Sequence, residues 1–541
     1  MKRKPIVLLL AAWFAAGATF AAGRDDASGA RLTGRVTTVA GEPLAGVVVS
    51  DGVRVVRTAA DGTYVLPSDK ELGYVFVSLP SGYTAPVDDC AIPRFFARTR
   101  LPAGEAEVHD FALVPVDDRR YAILAATDHH LADRASDDVA QFTADGGLLA
   151  ELKDFVAASS VPVYSICMGD MSWDEYWYRQ RFALADFRRL YARCGFSCPV
   201  FHAIGNHDND PYCTSDWEAS EPFRREIGPT YYSFDLGELH YVVLDNIVYR
   251  NTGGGPGVVG RLDYDVRIDD RQLEWLRADL AAVADRTAPL VVVMHAPLFE
   301  WRCAGGAVEW HYAFSREEDA ARLVDLLSGF EEVHLLTGHT HKNNNFRRGN
   351  LFEHNVAATS GTWWWTGKIN DDYSVDVCLD GSPGGYEVLE VDGRDIRWYY
   401  KGIGCSRDCQ FRAYDMNEVL RNERIAASGD FTASGTERGI DDAYGADDVL
   451  VNIWGWQPDW QVRVTEAGRE LEGVRVVGKD PLHKIAYTRA TVPFQTPYNA
   501  HMWRYRASSA TSALRIEVTD SFGCTYVEEM KRPKPFHVRM R

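Results

Sequence analysis

The sequence predicts an α/β core flanked by two β-rich regions, and three observations predict it. Between Arg120 and His341, apolar runs alternate with amphipathic segments at helical spacing, the pattern of an α/β unit. Before it, from about Ala30 to Val116, short β-branched runs are separated by Gly, Asp and Pro turns, the pattern of a sandwich. After it, from about Ile369 to Arg541, apolar and polar residues alternate again between turn signals. The chain has 541 residues, enough for about three or four domains. Its 46% apolar and 25% charged residues are ordinary for a globular protein. The expected divisions are 1–22, 30–117, 118–368 and 369–541.

Residues 1–22 read as a secretory signal: Lys2, Arg3 and Lys4, then an apolar stretch from Ile6 to Phe20, then small residues with cleavage after Ala21 or Ala22. The apolar run is short for a membrane anchor, and no other stretch is long and apolar enough to span. This points to the periplasm, cell surface or exterior of a bacterium. An exported chain with ten cysteines permits disulfides, and Cys194/Cys198 and Cys405/Cys409 are close enough to bridge locally. The net charge of -19 opposes long-range approach to nucleic acid and to anionic membranes.

In the first β region LTGRVTT, AGVVVSDG, RVVRTAADGTYVLP and YVFVSLP are the strand candidates. The pattern G-x-V…G-x-P-L-A-G-V-V-V…D-G-x-Y resembles the carboxypeptidase-regulatory-like modules of exported bacterial proteins, which implies spacing, binding or a purely structural appendage. The core places strands at Tyr121–Ala126, Val161–Met168, Pro199–Ile204, Leu239–Leu244, Pro289–Met294 and Val333–Thr337. Helices are expected at Gly147–Ala158, Gln180–Ala192, Asp270–Ala284 and Arg316–Ser328. EVLEVDG, DIRWYYKGIG, DDVLVNIWGW, WQVRVTEAG, ELEGVRVVG, SALRIEVTDSFG and CTYVEEM are the strand candidates of the C-terminal region.

Open α/β sheets gather their chemistry at strand carboxyl ends, and ligand-type residues stand there. Asp128-His129-His130 closes the first core strand, Gly169-Asp170 the second and Gly205-Asn206-His207-Asp208 the third. His295 closes VVVMH, and Gly338-His339-Thr340-His341 the last run. In D-x-H and H-x-H, alternate residues of an extended chain point the same way. Asp128, His130, Asp170, Asn206, His295, His339 and His341 divide between two ions with four ligands each if Asp170 is shared. Such oxygen and nitrogen sets suit Mn, Fe or Zn better than Ca or Mg. Singly, each histidine has a plainer reading as a hydrogen-bonded side chain, and Asp170 and Asn206 as turn residues. Five such sites, each following an apolar run, favour a metal centre.

The series D-x-H, GD, GNHD, H and GHTH resembles the calcineurin-like metallophosphoesterase superfamily over about Arg120 to His341. With both flanks it is similar to a three-part exported bacterial subgroup, a likeness carried less specifically by Trp363–Gly367 and Asp380–Tyr386. The resemblance implies a core that is a two-sheet α/β sandwich with a catalytic domain at 118–368. It implies that Asp128, His130 and His341 hold one ion, that Asn206, His295 and His339 hold the other, and that Asp170 bridges. His207 would protonate the leaving oxygen or stabilise phosphoryl charge, and Asp208 would orient His207. The acid often found two residues after the GD motif is absent; Asp174 stands four away, leaving the supporting role at that corner open.

Hydrolysis of a phosphate ester by a metal-bridged hydroxide is the implied reaction, with no Ser or Cys nucleophile. Arg302 and His311 are candidates to reach phosphate, and Trp173, Asp174, Tyr176 and Tyr178, which follow Asp170, are candidates for a wall of the cleft. Trp363 and Trp364 either stack on substrate or pack where domains meet. The substrate is a lipid, glycan or nucleotide-like phosphoester, diester or monoester; GNHDND departs from the nucleotidase-type GNHEFD. The rival is a non-catalytic envelope or carbohydrate-binding protein on the same scaffold. A third reading is another metallohydrolase chemistry on the same ions.

Overall fold

The computed structural model describes residues 31–135, 137–304, 307–365, 377–428, 444–445, 447–490 and 495–537. The expected signal at 1–22 lies outside them, as do Thr366 and Gly367 of the Trp-rich stretch.

Two sheets form the centre of the molecule. The first has the order Val200–His202, Val163–Cys167, Arg120–Ala126, Gly385–Asp392, Asp395–Gly402. Its first three strands are parallel and the last two are joined antiparallel. Arg120–Ala126 shows why these strands read as unbroken apolar runs. Tyr121, Ile123 and Ala125 enter the core shared with the second sheet, where Tyr121 Oη meets Tyr241 Oη at 2.9 Å. Ala122, Leu124 and Ala126 enter another core, with Leu148, Leu149 and Leu152 of helix Leu148–Ala158 and Phe187 and Leu190 of helix Leu184–Cys194. A strand apolar on both faces must be covered on both.

The second sheet has the order Tyr232–Leu236, Leu239–Val243, Leu290–Val293, Val333–Thr337, Leu351–Asn355, Asn344–Arg348, with its four middle strands parallel. Helix Asp270–Ala282 starts where Asp269 accepts the Gln272 N–H at 2.8 Å. It and helix Glu317–Leu327 bury Leu273, Leu276, Leu323 and Leu327 in the same core.

This arrangement corrects one expectation. The boundary at 368/369 assigned EVLEVDG and DIRWYYKGIG to the C-terminal domain. They are strands Gly385–Asp392 and Asp395–Gly402, and they complete the first core sheet beside Arg120–Ala126. Sequence spacing hides this pairing, because the partner strand lies more than two hundred residues earlier.

The N-terminal region is two packed β-sheets, of five and four strands. It shares the core of the second central sheet: Phe76 meets Trp275 edge-on at 6.2 Å, Trp275 Nε1 donates to Ser50 Oγ at 3.1 Å, and Tyr231 Oη donates to the Gly52 carbonyl at 2.7 Å. The C-terminal region is also a two-sheet sandwich, closed by Ala413, Val449 and Val451 against Val464, Ile516 and Val518. Two helices not expected from the sequence, Met416–Ser428 and Pro481–Ala490, cover Tyr414, Leu450 and Met502 on its other side. Cys194 and Cys198, the first expected pair, carry separate thiols.

Candidate metal centre

All seven expected ligand residues lie just past strand carboxyl ends, three ends from the first central sheet and two from the second. The backbone there is not extended. Asp128, His130, Asp170, His339 and His341 have φ of 55°, 45°, 53°, 72° and 54°. This left-handed region is uncommon for residues with a Cβ and costs about 1–3 kcal/mol each. The alternate residues of D-x-H and H-x-H therefore converge through turned backbone rather than strand alternation. Main-chain bonds hold these turns: Asp128 N–H to the Gly169 carbonyl at 3.1 Å and His130 N–H to the Asp170 carbonyl at 2.9 Å. Asp128 Oδ2 accepts the His339 N–H at 2.8 Å, tying the first motif to the last.

Gly205 is required for a different reason than a turn. A Cβ there would lie 2.2 Å from Asp170 Oδ1, so only glycine lets the third strand end pass behind Asp170.

The side chains form two sets that meet at one atom. In the first, Asp128 Oδ1 lies 3.2 Å from His341 Nε2 and 3.5 Å from His130 Nε2, and the two nitrogens are 2.9 Å apart. In the second, His295 Nε2 lies 3.0 Å from Asn206 Oδ1 and 3.2 Å from His339 Nδ1. Asp170 Oδ2 is 3.6 Å from His130 Nε2 and 3.3 Å from His295 Nε2. A single oxygen faces both sets, while Asp170 Oδ1 accepts the His207 N–H at 2.8 Å.

These residues fit two transition-metal ions. Asp128 Oδ1 is buried with no hydrogen-bond partner, a state that calls for a cation. The rings are oriented from behind. His295 Nδ1 is 2.8 Å from the Met168 carbonyl and His341 Nδ1 is 3.0 Å from the Gly361 carbonyl, so each donates there and turns an Nε2 lone pair inward. His339 Nε2 meets Tyr264 Oη at 3.0 Å, which leaves Nδ1 for the centre. Burial pushes the His130 and His339 imidazoles down to about 3, the neutral form a metal needs. Burial also opposes charge on His295, but Asp170 outweighs it and lifts that imidazole to about 9.

His207 is partly open to solvent, its side chain about 26% exposed. Its Nδ1 lies 2.7 Å from Asp174 Oδ1. Burial opposes its charge, but the Asp170 and Asp174 carboxylates raise it to about 10. The expected orienting role of Asp208 is therefore corrected. Asp208 Oδ2 accepts the Gly205 N–H at 3.0 Å and Oδ1 the Ser172 N–H at 3.2 Å, so it buckles two loops together and does not touch the His207 ring. Asp174, whose supporting role the sequence left open, orients His207 because a one-turn 3₁₀ helix, Asp174–Tyr176, brings it back toward the ring.

The expected substrate residues divide. Trp363 lies over the first set, 4.2 Å from the His341 ring and 5.9 Å from His130. Trp364 is 2% exposed and donates Nε1 to the His129 carbonyl at 2.7 Å, so it is a packing residue. Arg302 is corrected too: it pairs with Glu309 at 3.4 Å on an exposed hairpin, Phe299–Ala304 with Ala307–Tyr312. His311 is exposed on the same hairpin, opposite Glu300, with no described contact to the ligand sets. Trp173, a candidate wall residue, lies 5.9 Å from the His207 ring and 5.5 Å from His130. Reasoning from sequence missed Arg134, whose guanidinium lies 4.6 Å over the Trp173 ring. Its only signal was proximity to the D-x-H motif. Tyr264 had none, since it arrives on a hairpin that no motif marks.

Comparison with known proteins agrees with the geometry. The model described as calcineurin-like phosphoesterase matches residues 121–343. Those described as the N terminal and the C terminal of calcineurin-like phosphoesterase match 30–116 and 353–526. No curated protein sequence matches the chain. Similar solved structures include a dimetal phosphatase from Danio rerio, 13% identical over 52% of this chain and 96% of that one, with a TM-score of 0.33. PhoD is 10% identical over 75% and 83%, with a TM-score of 0.33. A putative 5′-nucleotidase from Staphylococcus aureus is 14% identical over 52% and 53%, with a TM-score of 0.31. With N-terminal, core and C-terminal models matched in order around this ligand constellation, the chain belongs to the calcineurin-like phosphoesterase family.

Proposed function

We propose that this chain is an exported, dinuclear-metal phosphoesterase that hydrolyses a small phosphate ester borne by a lipid, glycan or nucleotide-like compound. The observation that carries the reading is Asp170 Oδ2, one oxygen facing both ligand sets. Asp128, His130 and His341 would hold one ion, and Asn206, His295 and His339 the other, with Mn, Fe or Zn best suited to the donors. When bound, such ions supply Lewis acidity to the phosphoryl oxygens and a water acidic enough to act as nucleophile near neutral pH.

The chain's own residues do the rest. Trp363 and Trp173 wall the site beside His130. Asp174 holds His207 by Nδ1, leaving Nε2–H for the leaving oxygen. The carboxylates around His207 keep it protonated at neutral pH, as a general acid must be. Export is supported by the signal-like pattern at 1–22, and no helix among the described residues is long and apolar enough to cross a membrane.

The test is hydrolysis of bis-p-nitrophenyl phosphate beside p-nitrophenyl phosphate, with added Mn²⁺. Metal-dependent turnover abolished by Asp170→Asn supports the reading, and the ratio of the two rates assigns diester or monoester preference. Absence of both turnover and bound metal would sink it in favour of a binding protein on this scaffold.

A further inference from the structure

We infer that the C-terminal β unit sets the geometry of one half of the metal centre, and that Asp380, Asn452, Asn499 and Arg412 are positioning residues for the ligand His341. The inference rests on the dinuclear centre proposed above.

His341 has left-handed backbone and needs external support to keep it. That support comes from the turn 378–382. Leu379 N–H donates to the His341 carbonyl at 3.1 Å. Asp380 Oδ2 accepts the N–H of Asn343, two residues past His341, at 2.8 Å. Asp380 Oδ1 is fixed by the Ser382 N–H at 3.0 Å and the Ser382 hydroxyl at 2.6 Å. Asn343 Nδ2 returns to Ser382 Oγ at 3.0 Å. Turn and ligand loop therefore form one fully bonded, buried body.

The turn in turn hangs from the C-terminal sandwich. The Asp380 carbonyl accepts two side-chain amides, Asn452 Nδ2 at 2.7 Å and Asn499 Nδ2 at 2.9 Å, from neighbouring strands Asp448–Ile453 and Tyr498–Arg506. Buried Arg412 donates Nη1 to the Gly381 carbonyl. Gly381 (φ 86°) runs so close that a Cβ would lie 2.0 Å from Asp480 Cγ.

A second tether reaches the other side of the ring. Thr362 Oγ1 donates to the Val377 carbonyl at 2.6 Å, so His483 Nε2, 3.2 Å away, is the donor to Thr362. Thr362 stands between Gly361, whose carbonyl orients His341 Nδ1, and Trp363, whose ring lies 4.2 Å from the His341 ring at a tilt of 32°. No comparable tether from the C-terminal unit reaches Asn206, His295 or His339 among the described bonds. Loss of the tether should therefore loosen one ion and spare the other.

The experiment uses the full chain loaded with Mn²⁺, read by elemental analysis, a chelator competition titration and EPR. Asp380→Ala removes the carboxylate, and Asn499→Leu removes one amide at similar volume. Val464→Ala weakens the sandwich core without touching the turn. Wild type is expected to hold two ions with an exchange-coupled EPR signal. Asp380→Ala and Asn499→Leu should bind one ion as tightly as wild type and the other about 10- to 100-fold more weakly, with an uncoupled signal. Val464→Ala should lower thermal stability and leave the coupled signal intact. Two tight, coupled ions in folded Asp380→Ala and Asn499→Leu would overturn the tether while leaving the dinuclear reading standing. Fewer than two ions in wild type would overturn both. Loss of coupling in Val464→Ala as well would reduce the effect to general stability and also overturn the inference.

Discussion

His207, Asp174 and Asp208 show how neighbouring acids take different work from geometry. Asp174 touches the His207 ring, whereas Asp208 accepts main-chain N–H groups of two loops. His207→Ala should lower turnover by about 10²- to 10⁴-fold for an ester with a poor leaving group. The loss should be much smaller with p-nitrophenolate, which leaves without protonation. Asp174→Asn should follow the same leaving-group dependence at reduced size. Asp208→Ala should instead cost about 1–3 kcal/mol of stability per orphaned donor in a denaturant melt. Equal loss with both leaving groups in His207→Ala would remove it as the acid. His295 gives a pH prediction. Asp170 raises its pKa to about 9 without metal, so below that pH a binding ion must displace its proton. Chelator competition should show affinity rising about tenfold per pH unit and levelling above about 9. Affinity flat with pH would mean that His295 is already neutral.

At the scale of elements, the site is a set of strand ends rather than of strands. The apolar runs located the strands, because residues covered on both faces leave an uninterrupted signature. The loops after them were read as extended, and five of the ligand residues are left-handed instead. Periodicity cannot show this, since the turns are imposed by bonds between loops such as His339 N–H to Asp128 Oδ2. Gly205 is the most sensitive point. Gly205→Ala puts a methyl group about 2 Å from the Asp170 carboxylate, an overlap that must displace it. The variant should fold, shown by an unchanged far-UV spectrum, yet hold fewer than two ions by elemental analysis. Full metal content would mean that the loop yields rather than Asp170.

At the scale of the whole molecule, neither β region is a loose appendage. The N-terminal module shares its core with the second central sheet through Phe76, Ser50 and Trp275. Trp275→Ala removes the largest of these contacts and should cost about 3–5 kcal/mol. Module and core should still unfold in one calorimetric transition, because they share a core. Two separated transitions in wild type would show that the module is independent. The C-terminal sandwich acts at closer range, through the turn that carries Asp380.

The sequence by itself determined the α/β core, its β-rich flanks, the phosphoesterase family and which ligand-type residues stand at the strand ends, because such side chains at strand ends are local patterns in a fixed order. Tertiary structure alone decided that one oxygen of Asp170 faces both sets, that Asp174 rather than Asp208 orients His207, and that strands 385–402 belong to the core sheet. It also separated Trp363, which lies over the ligand histidines, from Trp364, which packs beneath His129. Each of these rests on contacts between chain segments far apart in sequence, or on the direction a side chain leaves a turned backbone, and neither leaves a periodic trace.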